Sequence, residues 1–162
     1  MPDFDLVAEA RRNWEAHGWG RPEAMVAATS IARAHQIVLA RIDAALAPFG
    51  LTLSRFEALA LLSFSRRGAL PMGKIGARLQ VHPTSVTNTV NRLERDGLVR
   101  RAASDGDRRT VLAEITPDGR RVVGAAAAAL AEADFGLGGL TEEQLAGVHD
   151  ALLPVRRGAG DF

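Results

Sequence analysis

The chain has 162 residues, 47% of them hydrophobic and 24% charged, enough apolar material for a packed core and far from a disordered composition. It has no cysteine, which excludes disulfides, thiolate metal sites and cysteine-based redox sensing. The formal net charge is only +1, so an affinity for a polyanion has to come from where the charge sits rather than from its total.

In chain order the pattern is helical almost throughout. Residues 3–16 form a short amphipathic helix marked by Phe4, Val7, Ala8 and Arg11 and stopped by Gly18 and Gly20. Pro22 opens a long helix reaching about Phe49, ended by Gly50. Ser54 and Glu57 have capping-box spacing and anchor a third helix over 54–64. Met72, Ile75 and Leu79, with small Gly76 and Ala77 between them, make a short helix that permits close packing. A second one over 83–96 starts at Pro83 with His82 as its cap and stops at Gly97. The period then changes. Residues 98–101 and 110–115 are strands around the polar turn 104–107, a hairpin carrying Arg100, Arg101, Arg108 and Arg109. Thr116 and Pro117 start a helix through the alanine-rich run 125–131 to about 134, broken by Gly136, Gly138 and Gly139. Thr141 with Gln144 is another capping box, and Leu145, Val148 and Leu152 give the last helix, 142–153, its stripe.

The stretch 72–109 carries the function. Val86, Val90 and Leu93 fall on one side of the 83–96 helix, and Thr84, Asn88, Asn91 and Arg95, flanked by Ser85, Thr87 and Arg92, fall on the other, with no large apolar group among them. Two short helices at a tight turn, followed by a basic hairpin, make a helix-turn-helix with a wing, the design of a DNA reading head. Charge agrees: Lys74, Arg78, Arg92, Arg95, Arg100, Arg101, Arg108 and Arg109 against Glu94, Asp96, Asp105 and Asp107 give this segment +4 and leave −3 for the rest. The outer amides, hydroxyls and arginines of the second helix suit base edges and phosphates, and Arg101, Arg108 and Arg109 suit a wing on DNA.

Enzyme chemistry has no support: there is no GxSxG, no phosphate-binding glycine loop, no HExxH and no cysteine nucleophile. His17, His35, His82 and His149 lack metal-ligand spacing, so neither a metal nor a cofactor is expected. With no apolar run of about 18 residues and no signal-peptide core in MPDFDLVAEARR, the expectation is a cytoplasmic protein without a membrane partner. A winged-helix module for protein or RNA, without ligand sensing, is the alternative to a DNA-binding regulator.

This order of elements resembles the MarR family of bacterial transcriptional regulators over roughly 25–153. The resemblance is carried by LTLSRFEAL (51–59), by NRLERDGLV (91–99), and by Asp107-Arg108-Arg109 leading to Ile115-Thr116-Pro117-Asp118-Gly119. It implies a mainly α fold: a winged helix-turn-helix with a small β-hairpin wing and a helical dimerisation region. It further implies a homodimer on double-stranded, pseudo-palindromic operator DNA, wing arginines in the minor groove, and Asp107 orienting a neighbouring arginine. The expected organisation is an N-terminal helical extension (1–20), dimerisation helices (21–50 and 117–162) and a DNA-binding unit (51–116). The dimer also follows from the residues, because the long helices have more apolar face than a small winged-helix core covers.

Some members responsive to urate or related aromatic anions carry an extra N-terminal helix, a pocket tryptophan and an acidic residue matching Glu57. This chain has the helix, Trp14 and Glu57, but Thr89 stands where such a pocket has an arginine. The resemblance therefore implies a repressor released by a small aromatic or lipophilic effector, with Trp14, Trp19, His35, Arg41 and Glu57 as candidate lining. For the two tryptophans, simple packing of the extension is the competing reading.

Overall fold

The computed structural model describes residues 4–103 and 110–161. Seven helices and three strands follow in order: α1 (Leu6–Ala16), α2 (Glu23–Leu46), α3 (Leu53–Phe64), β1 (Ala69–Pro71), α4 (Met72–Leu79), α5 (Pro83–Arg95), β2 (Val99–Ala103), β3 (Val111–Ile115), α6 (Pro117–Glu132) and α7 (Glu142–Gly158). The fold is the mainly helical winged helix-turn-helix expected from the sequence.

Local chemistry sets most boundaries. Asp5 caps α1 by accepting from Val7 N at 2.9 Å, and Thr141 and Gln144 form the reciprocal box that starts α7. Helix α2 stops at Leu46; Ala47–Phe49 tighten into a 3-10 turn, and Gly50 leaves it at φ 64°, a left-handed conformation natural to glycine. The expected Ser54–Glu57 box does not form. Thr52 occupies the cap position of α3, and Ser54 Oγ instead lies 3.2 Å from the Thr52 hydroxyl. Nor does the last helix end at 153: α7 continues past Pro154 to Gly158, with Arg156 and Arg157 in its last turn, where cations favour the helix dipole.

The sheet has one strand more than the hairpin. Central β3 pairs antiparallel with β2 (Val99 opposite Ile115) and with β1 (Ala69 opposite Glu114), in the order β1-β3-β2. Ala69-Leu70-Pro71 is too short to announce a strand by periodicity, and only the neighbouring edge of β3 makes it one.

The core lies beneath the unit that α3, α4, α5 and the sheet make together. Leu59 and Leu62 of α3, Ile75 of α4, Val90 and Leu93 of α5 and Val99 of β2 close on Leu46 at the end of α2 and Leu130 of α6. Each such side chain contributes about 1.5–3 kcal/mol by leaving water. The unit is tied to α6 where Thr116 Oγ1 donates to the Gly97 carbonyl at 2.8 Å and accepts from Gly119 N at 3.0 Å, while Thr116 N donates to Leu98 O. The rest of the helical frame is thinly covered. Helix α7 buries no residue and has no extensive packing against another described element, and α2 buries only Ile42 and Leu46.

Candidate nucleic-acid interface

Helices α4 and α5 are joined at Gln80, whose backbone is left-handed (φ 52°), and Gly76 lets them meet: a Cβ there would stand 3.1 Å from Val86 Cγ2. His82 caps α5 through Nδ1, which accepts from Thr84 N at 3.3 Å, and Pro83 fills its first position. Val86, Val90 and Leu93 are buried, whereas Thr84, Ser85, Thr87, Asn88, Asn91, Arg92 and Arg95 are all exposed. One helix thus presents seven of the ten DNA-contact candidates together.

They are not equivalent. Thr87 donates its hydroxyl proton to Pro83 O at 3.0 Å and borders the cleft toward α4. Thr84 Oγ1 lies 3.1 Å from the His82 ring, and Ser85 borders the cleft toward α3. Asn91 and Glu94 both engage the guanidinium of Arg101, and Arg101 N donates to Glu94 Oε1 at 3.3 Å. The side chains of Asn88, Arg92 and Arg95 have no hydrogen bond or ion pair among the described residues.

On β2, Arg101 turns toward α5 and Arg100 points the other way. Its guanidinium grips Glu114 through two hydrogen bonds of 3.1 and 2.9 Å, and this pairing raises the Arg100 pKa further. Arg108, Arg109 and the orienting Asp107 lie outside the described residues.

Two participants were not singled out from sequence. Glu94 holds Arg101, and Arg55 of α3 pairs with Asp96 at the end of α5, Nη1 to Oδ2 at 3.0 Å. Sequence carried no signal for either, because both partners come from elements whose packing had first to be known.

Of the five effector candidates, the structure brings Trp14 and Trp19 together and lines a separate cleft with Glu57. Trp14 Nε1 donates to the Trp19 carbonyl at 3.0 Å and the two rings meet edge to face with centroids 5.4 Å apart, His17 beside them. Arg41 donates to Gly136 O at 2.9 Å, fastening α2 to the turn after α6, and His35 is exposed on α2. Glu57 stands apart from these four in a cleft of about 300 Å³ with Ser54, Ile75, Leu79, Ser85, Thr89 and Val90 along its walls. Glu57 is exposed at the edge of the cleft, and partial desolvation there raises its carboxyl pKa above the ordinary value. Among the described residues no group of three His, Asp or Glu side chains could hold a metal, and no single helix is long and apolar enough to cross a membrane.

A sequence model of the MarR family matches residues 51–111. The chain is 53% identical to Sco5413, a MarR family transcriptional regulator of Streptomyces coelicolor, with a TM-score of 0.80 over 88% of this chain and 99% of that one. CouR of Rhodococcus jostii, solved with p-coumaroyl-CoA bound, is 26% identical, with a TM-score of 0.67 over 77% of this chain and 87% of that one. Among curated proteins, the transcriptional repressor Rv2887 of Mycobacterium tuberculosis is 32% identical over 102 residues, 63% of this chain and 72% of the repressor. The uncharacterized transcriptional regulator YhbI of Bacillus subtilis is 29% identical over 96 residues, which span 59% of this chain and 61% of YhbI's length.

Proposed function

The chain belongs to the MarR family of DNA-binding transcriptional regulators, and from that premise we propose that it acts in the cytoplasm as a homodimeric repressor released by a small effector. The observation that carries the reading is the outer face of α5, where Asn88, Arg92 and Arg95 stand exposed and uncommitted while Val86, Val90 and Leu93 fix the helix from behind. A helix so held presents amide and guanidinium groups to base edges and phosphates at little reorganisation cost. Thr84, Ser85, Thr87, Asn91 and Arg101 border that face as supporting contacts.

The dimer is supported by the apolar side chains that the single chain leaves open. Ile31 and Ile37 on α2, and Leu145, Val148 and Val155 on α7, are exposed, and α7 finds no extensive cover among the described residues. A second copy would bury them and place two reading helices on one side of the duplex. Residues 21–50 and 117–162 would then be the dimerisation helices around the DNA-binding unit 51–116.

The effector is assigned to the cleft at Glu57. It has the size of a small-molecule site and is walled by Ser85 and Thr89 of α5 itself, so a ligand there would act on the reading helix directly. A relative of similar fold binds an aromatic acyl thioester, in line with an aromatic or lipophilic effector. The packing contacts of Trp14 and Trp19 with each other favour a structural role for the extension (1–20).

DNA selected from a random pool by the wild-type protein, followed by footprinting and light scattering, tests this. The expected result is a dimer protecting a pseudo-palindrome with half-sites roughly 34 Å apart. Val148→Asp should give a folded monomer with much weaker binding. A wild-type monomer that binds the selected DNA tightly would overturn the dimer, and a pool that enriches no duplex would overturn sequence-specific recognition.

A further inference from the structure

Helix α5 has two flanks, and each carries a basic group from a neighbouring element. Successive residues turn by about 100°; with Asn88 and Arg95 at the centre of the outer face, Asn91 and Glu94 fall toward β2, and Arg92 and Asp96 fall toward α3. On the β2 flank Arg101 is held by Asn91 and Glu94. On the α3 flank Arg55, Arg92, Arg95 and Asp96 line a cleft of about 250 Å³. Three guanidinium groups against one carboxylate leave this cleft with a charge of +2. Arg92 and Arg95 are unpaired among the described residues. The side chain of Arg55 is 17% exposed, so its stem is packed and its direction fixed, and Asp96 engages only Nη1 of its fork.

The major groove of B-DNA is about 12 Å wide and admits one helix, with a phosphate strand along each edge. A helix seated there with the wing on one flank brings the opposite flank against the second strand. We propose that Arg55, Arg92 and Arg95 form a phosphate clamp that grips the DNA backbone at the groove edge opposite the wing, with Asp96 holding Arg55 in place. The clamp rests on the reading of α5 as the helix in the groove. It adds a contact from α3, outside the helix-turn-helix and the wing. Guanidinium suits the task because its planar fork serves a carboxylate with one nitrogen and a phosphate with another. Contacts of this kind give affinity and salt dependence, and they carry no sequence information of their own.

The competing role for Arg55 is a structural ion pair joining α3 to α5, and the two roles separate in Asp96→Asn. Asparagine still accepts the hydrogen bond but removes a negative charge from beside the phosphate. Arg55→Gln, Arg55→Lys and Asp96→Asn are titrated by fluorescence anisotropy over a range of salt. The probes are a duplex selected by the wild-type protein and a scrambled duplex of the same length. Arg55→Gln is expected to weaken both duplexes by the same factor and to reduce the slope of log K against log salt by about 0.9, the loss of one phosphate contact. Arg55→Lys should retain that slope, and Asp96→Asn should bind both duplexes more tightly than wild type. An unchanged slope in Arg55→Gln, or a loss in Asp96→Asn as large as that in Arg55→Gln, overturns the clamp. Should Arg55→Gln fail to fold, Asp96→Asn decides alone: a gain in affinity supports the clamp and anything else overturns it. Failure of the underlying reading looks different, because Asn88→Ala would then leave binding to both duplexes unchanged as well.

Discussion

The guanidinium of Arg101 on β2 reaches across to α5, where Asn91 Oδ1 and the Glu94 carboxylate both accept from it. β2 and α5 are therefore joined electrostatically at this point, and Asn91 is not an independent amide on the outer face. In a double-mutant cycle on DNA affinity, Asn91→Ala and Arg101→Ala should be coupled by about 0.5–3 kcal/mol, the range for residues sharing a network. Additive losses would show that the two side chains act on DNA separately.

Asn88 is the amide on the outer face that no described neighbour occupies. Asn88→Ala should cost about 1–3 kcal/mol on a selected duplex, the value of a bidentate base contact, and far less on scrambled DNA. Competition titration with the two duplexes reads the ratio directly. Equal losses on both would demote the residue to a backbone contact.

Glu57 ties the cleft to pH. Its carboxyl pKa is raised above the ordinary 4.5 by desolvation, so the folded chain holds this proton more tightly than the unfolded chain does. The stabilisation linked to that proton is fully present below pH 4.5 and is lost as pH rises through the raised value. Glu57→Gln, which mimics the protonated acid at every pH, should therefore gain on wild type in thermal midpoint as pH rises through that window. Below it the difference should be constant. Two melting curves that stay parallel from pH 4 to 7 would mean that the cleft does not desolvate the carboxyl.

Gly119 is where the first turn of α6 passes Leu98 and Ile115. A Cβ at this position would lie 2.1 Å from the Leu98 carbonyl oxygen and 2.8 Å from Ile115 Cγ1. Both obstacles belong to the packed frame, so Gly119→Ala should destabilise by about 1–3 kcal/mol despite the better helix propensity of alanine. Thermal unfolding should register this as a drop of several degrees. Gly124 on the same helix has open space at its Cβ, and Gly124→Ala should leave the midpoint equal or higher. A reversal of that order would contradict the packing of α6 on Leu98.

What the sequence determined by itself was whatever depends on near neighbours. The stripe of Val86, Val90 and Leu93, the cap at His82, the stop at Gly97 and the box at Thr141 are interactions within a few residues, and each is in place. Within the stretch 72–109, that was enough to give the two short helices and the side of the second one that stays exposed. What the tertiary structure decided involves partners distant in the chain. β1 is a strand because β3 lies beside it, and Arg55 finds Asp96 because α3 packs along α5. Ser54 and Glu57 had the spacing of a cap, but Thr52 starts the helix and leaves Glu57 to a cleft wall. Residue type and resemblance group the five effector candidates, but the tryptophans satisfy each other locally, Arg41 is consumed by the Gly136 carbonyl, and Glu57 borders a cleft whose walls hold none of the other four. Periodicity fixes which side of a helix faces the core. Which side chains then meet across the gap is set by how the helices dock, and spacing along one chain does not encode it.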